Sequence, residues 1–314
     1  MRYDVSVVGL YILDILGRPV SAIPAGGNVD FIDQIRLTVA GTAGGTVVDC
    51  AKLGLKCQAV GAVGEDEKAD FVLQQLGKFG IDTGMMQRLP GVPTSATILN
   101  IRPNGERPAL HMRGASDHFD VPADVYDRVF DADIIHLGGT GLLRKLDGAP
   151  SVKFLAEAKK RGRITTFDLI AARPETIGIV EPILPYIDYF MPSIEEARDM
   201  SGLKDVGDVA RFYLDRGATT CVFTMGGEGS FVATGDVQLR IPAFEVEVVD
   251  TTGCGDAYDA GFIAALQRGY DLENCARFAS AASGLVATGL GSDAGIVSFD
   301  DTLEKMRTLR IKKV

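Results

Sequence analysis

Asp250-Thr251-Thr252-Gly253-Cys254-Gly255-Asp256 combines two kinds of chemistry in one short stretch. The small residues Gly253, Cys254 and Gly255 let an anion approach backbone amides, and Asp256 adds a carboxylate that can accept a proton. Downstream, Phe262, Ile263 and Leu266 recur at helical spacing, while residues 240–249 read as a strand from their branched and alternating residues. The loop is therefore expected to open a helix, whose first N–H groups lack partners and whose dipole attracts negative charge. Asp256 by itself reads as that helix's N-cap. Placed beside an anion site, it also reads as a base.

The whole string resembles the most diagnostic motif of the ribokinase-like carbohydrate kinases, the PfkB family, with Cys254 where the family usually has Ala. The resemblance implies that Asp256 is the catalytic base and that the amides of Gly253, Cys254 and Gly255 form an anion hole. Gly61-Ala62-Val63-Gly64-Glu65-Asp66 matches a second family signature, G-x-x-G-x-D, and is read mainly as a strand end followed by a helix capped by Asp66. The resemblance spans essentially the whole chain. It implies a three-layer α/β/α sandwich with a mostly parallel central sheet and a small β-sheet lid.

The elements that must position these residues follow in order. Residues 3–9 form an apolar run ending in glycine, as a buried parallel strand would. Asp14, just beyond, is expected near that strand's carboxyl end, where open α/β sheets bind ligands; the resemblance makes it a sugar-hydroxyl ligand. Two strand-turn-strand blocks, about 15–40 and 94–114, interrupt the βα pattern and correspond to the lid, in one domain covering 1–314. Gly41, Gly44 and Gly45 read as a tight turn with positive φ. In the family Gly41 has a counterpart, and Gly45 stands where a substrate-binding Asn is usual. Arg113, closing a lid strand, is a candidate for a substrate carboxylate or phosphate.

Further along, Asp168 ends a strand, and Ser193-Ile194-Glu195-Glu196 resembles the family's N-x-x-E segment with Ser193 in place of Asn. The resemblance gives Glu196 to magnesium through water, a role suited to a hard cation that keeps most of its waters. Thr224, Gly226 and Gly229 resemble the family's nucleotide-phosphate loop, and the resemblance implies that the helix read over residues 274–289 flanks adenine. The resemblance also implies a monovalent cation such as potassium, with Asp250 and Thr252 as its candidate ligands. His111, His118 and His136 lack metal-ligand spacing and read as core or surface residues.

Composition bounds the rest. The chain has 314 residues, 46% hydrophobic and 24% charged, which is globular, and its net charge of −10 argues against a nucleic-acid partner. No apolar run reaches bilayer length. Five scattered cysteines without a C-x-x-C pair suggest a reduced, cytoplasmic protein. A Rossmann G-x-G-x-x-G after the first strand is missing, as is a Walker loop, since Gly77-Lys78 is followed by Phe79. The expectation is an ATP- and magnesium-dependent kinase acting on a sugar, dimeric through the lid. The alternatives are a nucleoside kinase and a non-catalytic ligand-binding protein on the same fold.

Overall fold

A computed structural model describes residues 2–312; Met1, Lys313 and Val314 lie outside the described residues. In chain order the strands are β1 (Tyr3–Gly9), β2 (Ile12–Arg18), β3 (Gln34–Ala40), β4 (Cys57–Gly64), β5 (Asp82–Leu89), β6 (Ala96–Asn100) and β7 (Ala109–Met112). They continue with β8 (Ala132–Thr140), β9 (Ile164–Leu169), β10 (Tyr189–Phe190), β11 (Thr220–Thr224), β12 (Ser230–Ala233) and β13 (Gln238–Ile241). The helices are α1 (Thr42–Lys52), α2 (Glu67–Lys78), α3 (Tyr126–Val129), α4 (Ala149–Lys160) and α5 (Ile177–Val180). After them come α6 (Ile194–Ser201), α7 (Val206–Leu214), α8 (Cys254–Gln267), α9 (Leu272–Val286) and α10 (Phe299–Thr308).

Nine strands form one sheet in the order β13-β12-β11-β10-β9-β8-β1-β4-β5. All its pairings are parallel except β11 with β12 and β12 with β13. Central strands such as β4 are buried along their whole length, which explains their largely apolar character. The chain leaves β1 toward β4 and β5 on one side and later returns toward β8 and β9 on the other. That reversal opens a crevice at the carboxyl ends of β1 and β8. Gly9 and Gly138 face each other there, so close that a Cβ on Gly9 would overlap the Gly138 carbonyl.

The second sheet runs β3-β2-β6-β7 and packs beside the crevice. Asp14 belongs to it: the first strand ends at Gly9, and Asp14 sits within β2, opposite Thr38 on one side and Thr97 on the other. Alternation divides this sheet into two faces. Asp14, Thr38 and Thr97 lie on one. Leu37, Ile15, Ile98 and Leu110 form a row on the other, with Leu37 44%, Ile98 48% and Leu110 66% exposed.

Two expectations about local structure give way. The strand read over residues 240–249 ends at Ile241, because Pro242 brings no N–H to a ladder and the chain beyond runs irregularly past Val248, which is 55% exposed. Of the glycines read as a turn, only Gly41 has positive φ, 87°, where it caps α1; Gly44 and Gly45 lie inside the helix. Helix α1 docks on the crevice through the N–H groups of Ala43 and Gly44, which both donate to Leu10 O.

Candidate active site

Helix α8 brings the chemistry to the crevice. Its residues from Ala257 to Ala265 are all buried, so it is held by packing on every side. Gly261 allows α9 to cross it: a Cβ there would lie 2.8 Å from Ala279 Cα. Tyr258 adds a directional tie by donating to Ser230 Oγ at 2.8 Å. The helix starts at Gly253, in the left-handed region with φ 77°, and no side chain caps it. Asp256 therefore is not the N-cap; it sits in the first turn, free to act on something else.

The loop ahead of this turn is clamped by Asp250. Thr252 N and Oγ1 donate to its Oδ1 at 2.9 and 2.8 Å, and Gly291 N donates to Oδ2 at 2.9 Å. Asp250 is fully buried and has no salt-bridge partner among the described residues.

Asp256 is half-buried. Burial pushes its carboxyl up to about 7; Arg107 draws it down and Asp14 pushes it further up. Its wall is α1. A Cβ on Gly45 would lie 2.9 Å from Asp256 Cβ and overlap Oδ2, so glycine at 45 is what lets the carboxylate occupy this position. Thr46 Oγ1 donates to Asp256 O at 3.3 Å from the same helix.

Across from it, Asp14 is 4% exposed, and burial raises its carboxyl to about 7 while Thr97 and Arg107 oppose the rise. Asp14 Oδ1 and Thr38 Oγ1 are buried and without partners on neighbouring strands. Two such atoms side by side are a place for ligand hydroxyls, since a buried polar group left unpaired is costly. Thr97 also meets His111 Nδ1 at 3.1 Å. Arg107, on the exposed turn between β6 and β7, acts on Asp14, Cys254 and Asp256 together. Nothing in its local sequence separates it from any turn arginine.

Arg113, 47% exposed, is committed to Asp117 at 3.0 Å. His136 is fully buried between Thr166 Oγ1, 3.0 Å from Nδ1, and Asp259 Oδ2, 4.0 Å from Nε2, and burial lowers its pKa to about 3. It is a neutral core histidine.

Glu196 occupies the first turn of α6, where Ser193 makes a reciprocal cap: Ser193 Oγ donates to Glu196 Oε2 at 2.8 Å and accepts from Glu196 N at 3.3 Å. Serine thus fixes the glutamate from the position where the family usually has Asn. At the end of β9, Asp168 is pushed well up by burial and by the charges of Glu196 and Asp256. Carboxylates that repel one another across a crevice are suited to a divalent cation. Among the described residues no group of three His, Cys, Asp or Glu side chains is placed to hold a metal ion. Asp66 is structural, as its motif suggested. It caps α2 through Ala69 N and binds Thr94 through its N–H and hydroxyl.

Next to the Asp256 turn lies a cavity of about 410 Å³. Thr224, Gly226 and Gly229 line one side of it, Cys254 and Gly255 another, and Ser280 and Ser283 of α9 a third. Residues from three separate stretches of sequence therefore share one cavity that leads toward the carboxylate.

Known proteins are similar to this chain in sequence and fold. An uncharacterised sugar kinase of Archaeoglobus fulgidus is 28% identical over 233 residues, 72% of this chain and 89% of that protein. The 2-dehydro-3-deoxygluconokinase of Thermoproteus tenax is 26% identical over 308 residues, 94% of each chain. The crystal structure of a ribokinase from Thermotoga maritima aligns with a TM-score of 0.80 at 23% identity, covering 98% of this chain and 100% of that one. The model of the pfkB family carbohydrate kinases matches residues 3–298, from β1 to the residue that caps α10, and the chain belongs to that family.

Proposed function

We propose that this carbohydrate kinase transfers the γ-phosphoryl group of ATP to a hydroxyl of a sugar or sugar derivative, with Asp256 as the base. The observation that carries the reading is the position of Asp256. Its carboxyl, raised to about 7, sits in the uncapped first turn of α8, and the neighbouring Cys254 and Gly255 open onto the cavity lined by Thr224, Gly226 and Gly229. A base whose pKa lies near neutrality is matched to taking a hydroxyl proton at cellular pH.

In this reading Asp14, with Thr38 and Thr97, holds hydroxyls of the acceptor, and the backbone at Gly41 closes the same pocket. Asp256 Oδ takes the proton as the acceptor oxygen attacks. The amides of Gly253, Cys254 and Gly255 offset the charge that develops on the transferring group. Glu196, with Asp168, would hold magnesium through water; when bound, that ion supplies charge neutralisation to the phosphates. A monovalent cation at Asp250 and Thr252 would neutralise a buried carboxylate that has no ion pair. Closure of the small sheet over the acceptor excludes water that would compete for the phosphoryl group. Arg113 would have to exchange Asp117 for an anionic acceptor.

The apolar outer row of the small sheet supports a homodimer built on that face. The five cysteines are all free, which supports a reducing, cytoplasmic setting. Among the described residues no helix is long and apolar enough to cross a membrane.

The test is ATP- and magnesium-dependent ADP release against pentoses, hexoses, sugar acids, sugar phosphates and nucleosides. Turnover with a sugar, abolished in Asp256→Asn, is expected. Turnover with nucleosides alone would move the assignment to a nucleoside kinase, and binding without turnover would make the protein a ligand-binding member of the fold.

A further inference from the structure

The nucleotide cavity has two charged wall residues, Glu245 and Lys312, and the lysine comes from a part of the chain that no phosphate-loop pattern includes. Beyond α10 the chain turns back along residues 243–245. Glu245 N donates to Arg310 O at 2.8 Å, Lys312 N donates to Ala243 O at 2.8 Å, and Phe244 and Ile311 form an antiparallel bridge between them. This short pairing fixes the Lys312 backbone beside the cavity. Its side chain reaches the Gly226–Gly229 turn, where a Cβ on Gly227 would come within 2.6 Å of Nζ. Glycine at 227 thus lets the ammonium lie directly against the turn without being displaced. Lys312 has no ion pair among the described residues, and it is the sole basic residue on the cavity wall of a chain whose net charge is −10.

We infer that Lys312 is a nucleotide-binding residue whose ammonium contacts the phosphate chain of the donor. The inference rests on the kinase reading of the cavity and adds to it a cation delivered by the segment after α10. An ammonium on a flexible stem, with three donors and no fixed partner, can follow a phosphate chain as it changes from tri- to diphosphate. The unpaired charge also counters the repulsion that an acidic protein exerts on an incoming polyanion.

The experiment is calorimetric titration of the whole protein, with magnesium, by ATP, ADP and adenosine. Wild type is compared with Lys312→Met and Lys312→Arg. The expected result is that Lys312→Met weakens ATP and ADP by about tenfold, the scale of one charge-assisted contact, and leaves adenosine unchanged. Lys312→Arg should recover most of the loss, and the salt dependence of ATP binding should be shallower in Lys312→Met than in wild type. Equal affinities of wild type and Lys312→Met for ATP would overturn the inference while leaving the kinase reading intact. A loss that is the same for adenosine as for ATP would overturn it too, because it would mark a packing role. Failure of the wild type to bind any adenine nucleotide would remove the kinase reading and this inference with it.

Discussion

Asp256 and Asp14 carry their chemistry through burial, and burial has a cost that can be measured. Burial raises both carboxyls to about 7 in the folded protein, from the 3.8 of an aspartate in the unfolded chain. The folded state therefore binds protons more tightly than the unfolded one between these values, and stability falls as pH rises from about 4 to about 7. Asp256→Asn removes one of these penalties. Its Tm should exceed that of wild type by a margin that opens across this range and stays constant above it, while turnover drops by roughly 10² to 10⁴. Tm recorded against pH, with ADP release alongside, checks both. If Asp256 is the base as proposed, kcat/KM should rise with pH through about 7 and level off above it. Arg107 lowers that value, so Arg107→Met should move the rise to higher pH; an unmoved profile would show that Arg107 does not reach the base. Gly45→Ala would ordinarily favour a helix by roughly 0.5–1 kcal/mol. Here the added carbon meets Asp256, and turnover should fall at least tenfold while Tm changes by only a few degrees.

Helix α8 shows why an element can be apolar almost all round and still present a polar end. It is enclosed by α1, α9 and the sheet, so the placement of its first turn is set by packing along the residues that follow. At Gly261 the two helices pass closely, with a built Cβ 2.8 Å from Ala279 Cα of α9. Gly261→Val would force the two helices apart and should cost about 3 kcal/mol, the upper end of the usual range for overpacking, because the atoms met are the Ala279 main chain and the Ala282 Cβ, which cannot swing aside. A lower midpoint in urea, with activity lost in proportion to the unfolded fraction, is expected. Unchanged stability would show that the helices move apart freely. Resistance to movement is what keeps the Gly253–Gly255 amides and Asp256 in one geometry.

At the scale of the whole molecule, the small sheet is covered on one face only. One of its faces meets the crevice and the other is a row of exposed apolar side chains, Leu37, Ile98 and Leu110. Burying that row against a second copy would remove it from water and fix the sheet that carries Asp14. Sedimentation of the wild type should show a dimer, and Leu37→Lys with Ile98→Lys should yield a folded monomer with weaker acceptor binding. A monomeric wild type would remove the dimer from the proposal.

The sequence alone determined what local chemistry can encode. A loop of small residues before a helical pattern, a Gly-rich turn after a strand and an acid at a helix start are written in consecutive residues, so the Asp256 turn, the Thr224–Gly229 loop, Glu196 and the Asp66 cap were legible. Where local pattern competes with chain geometry the reading slipped, as with the strand that stops at Pro242 and the glycines that are helical. Only the tertiary structure decided that Asp14 lies in a second sheet, that Gly45 is the wall behind Asp256, and that Arg107 and Lys312 face the site from an exposed turn and from beyond α10. The reason is physical. These relations join residues tens to hundreds of positions apart, and such approaches are fixed by how sheets and helices pack, which no period in the sequence records.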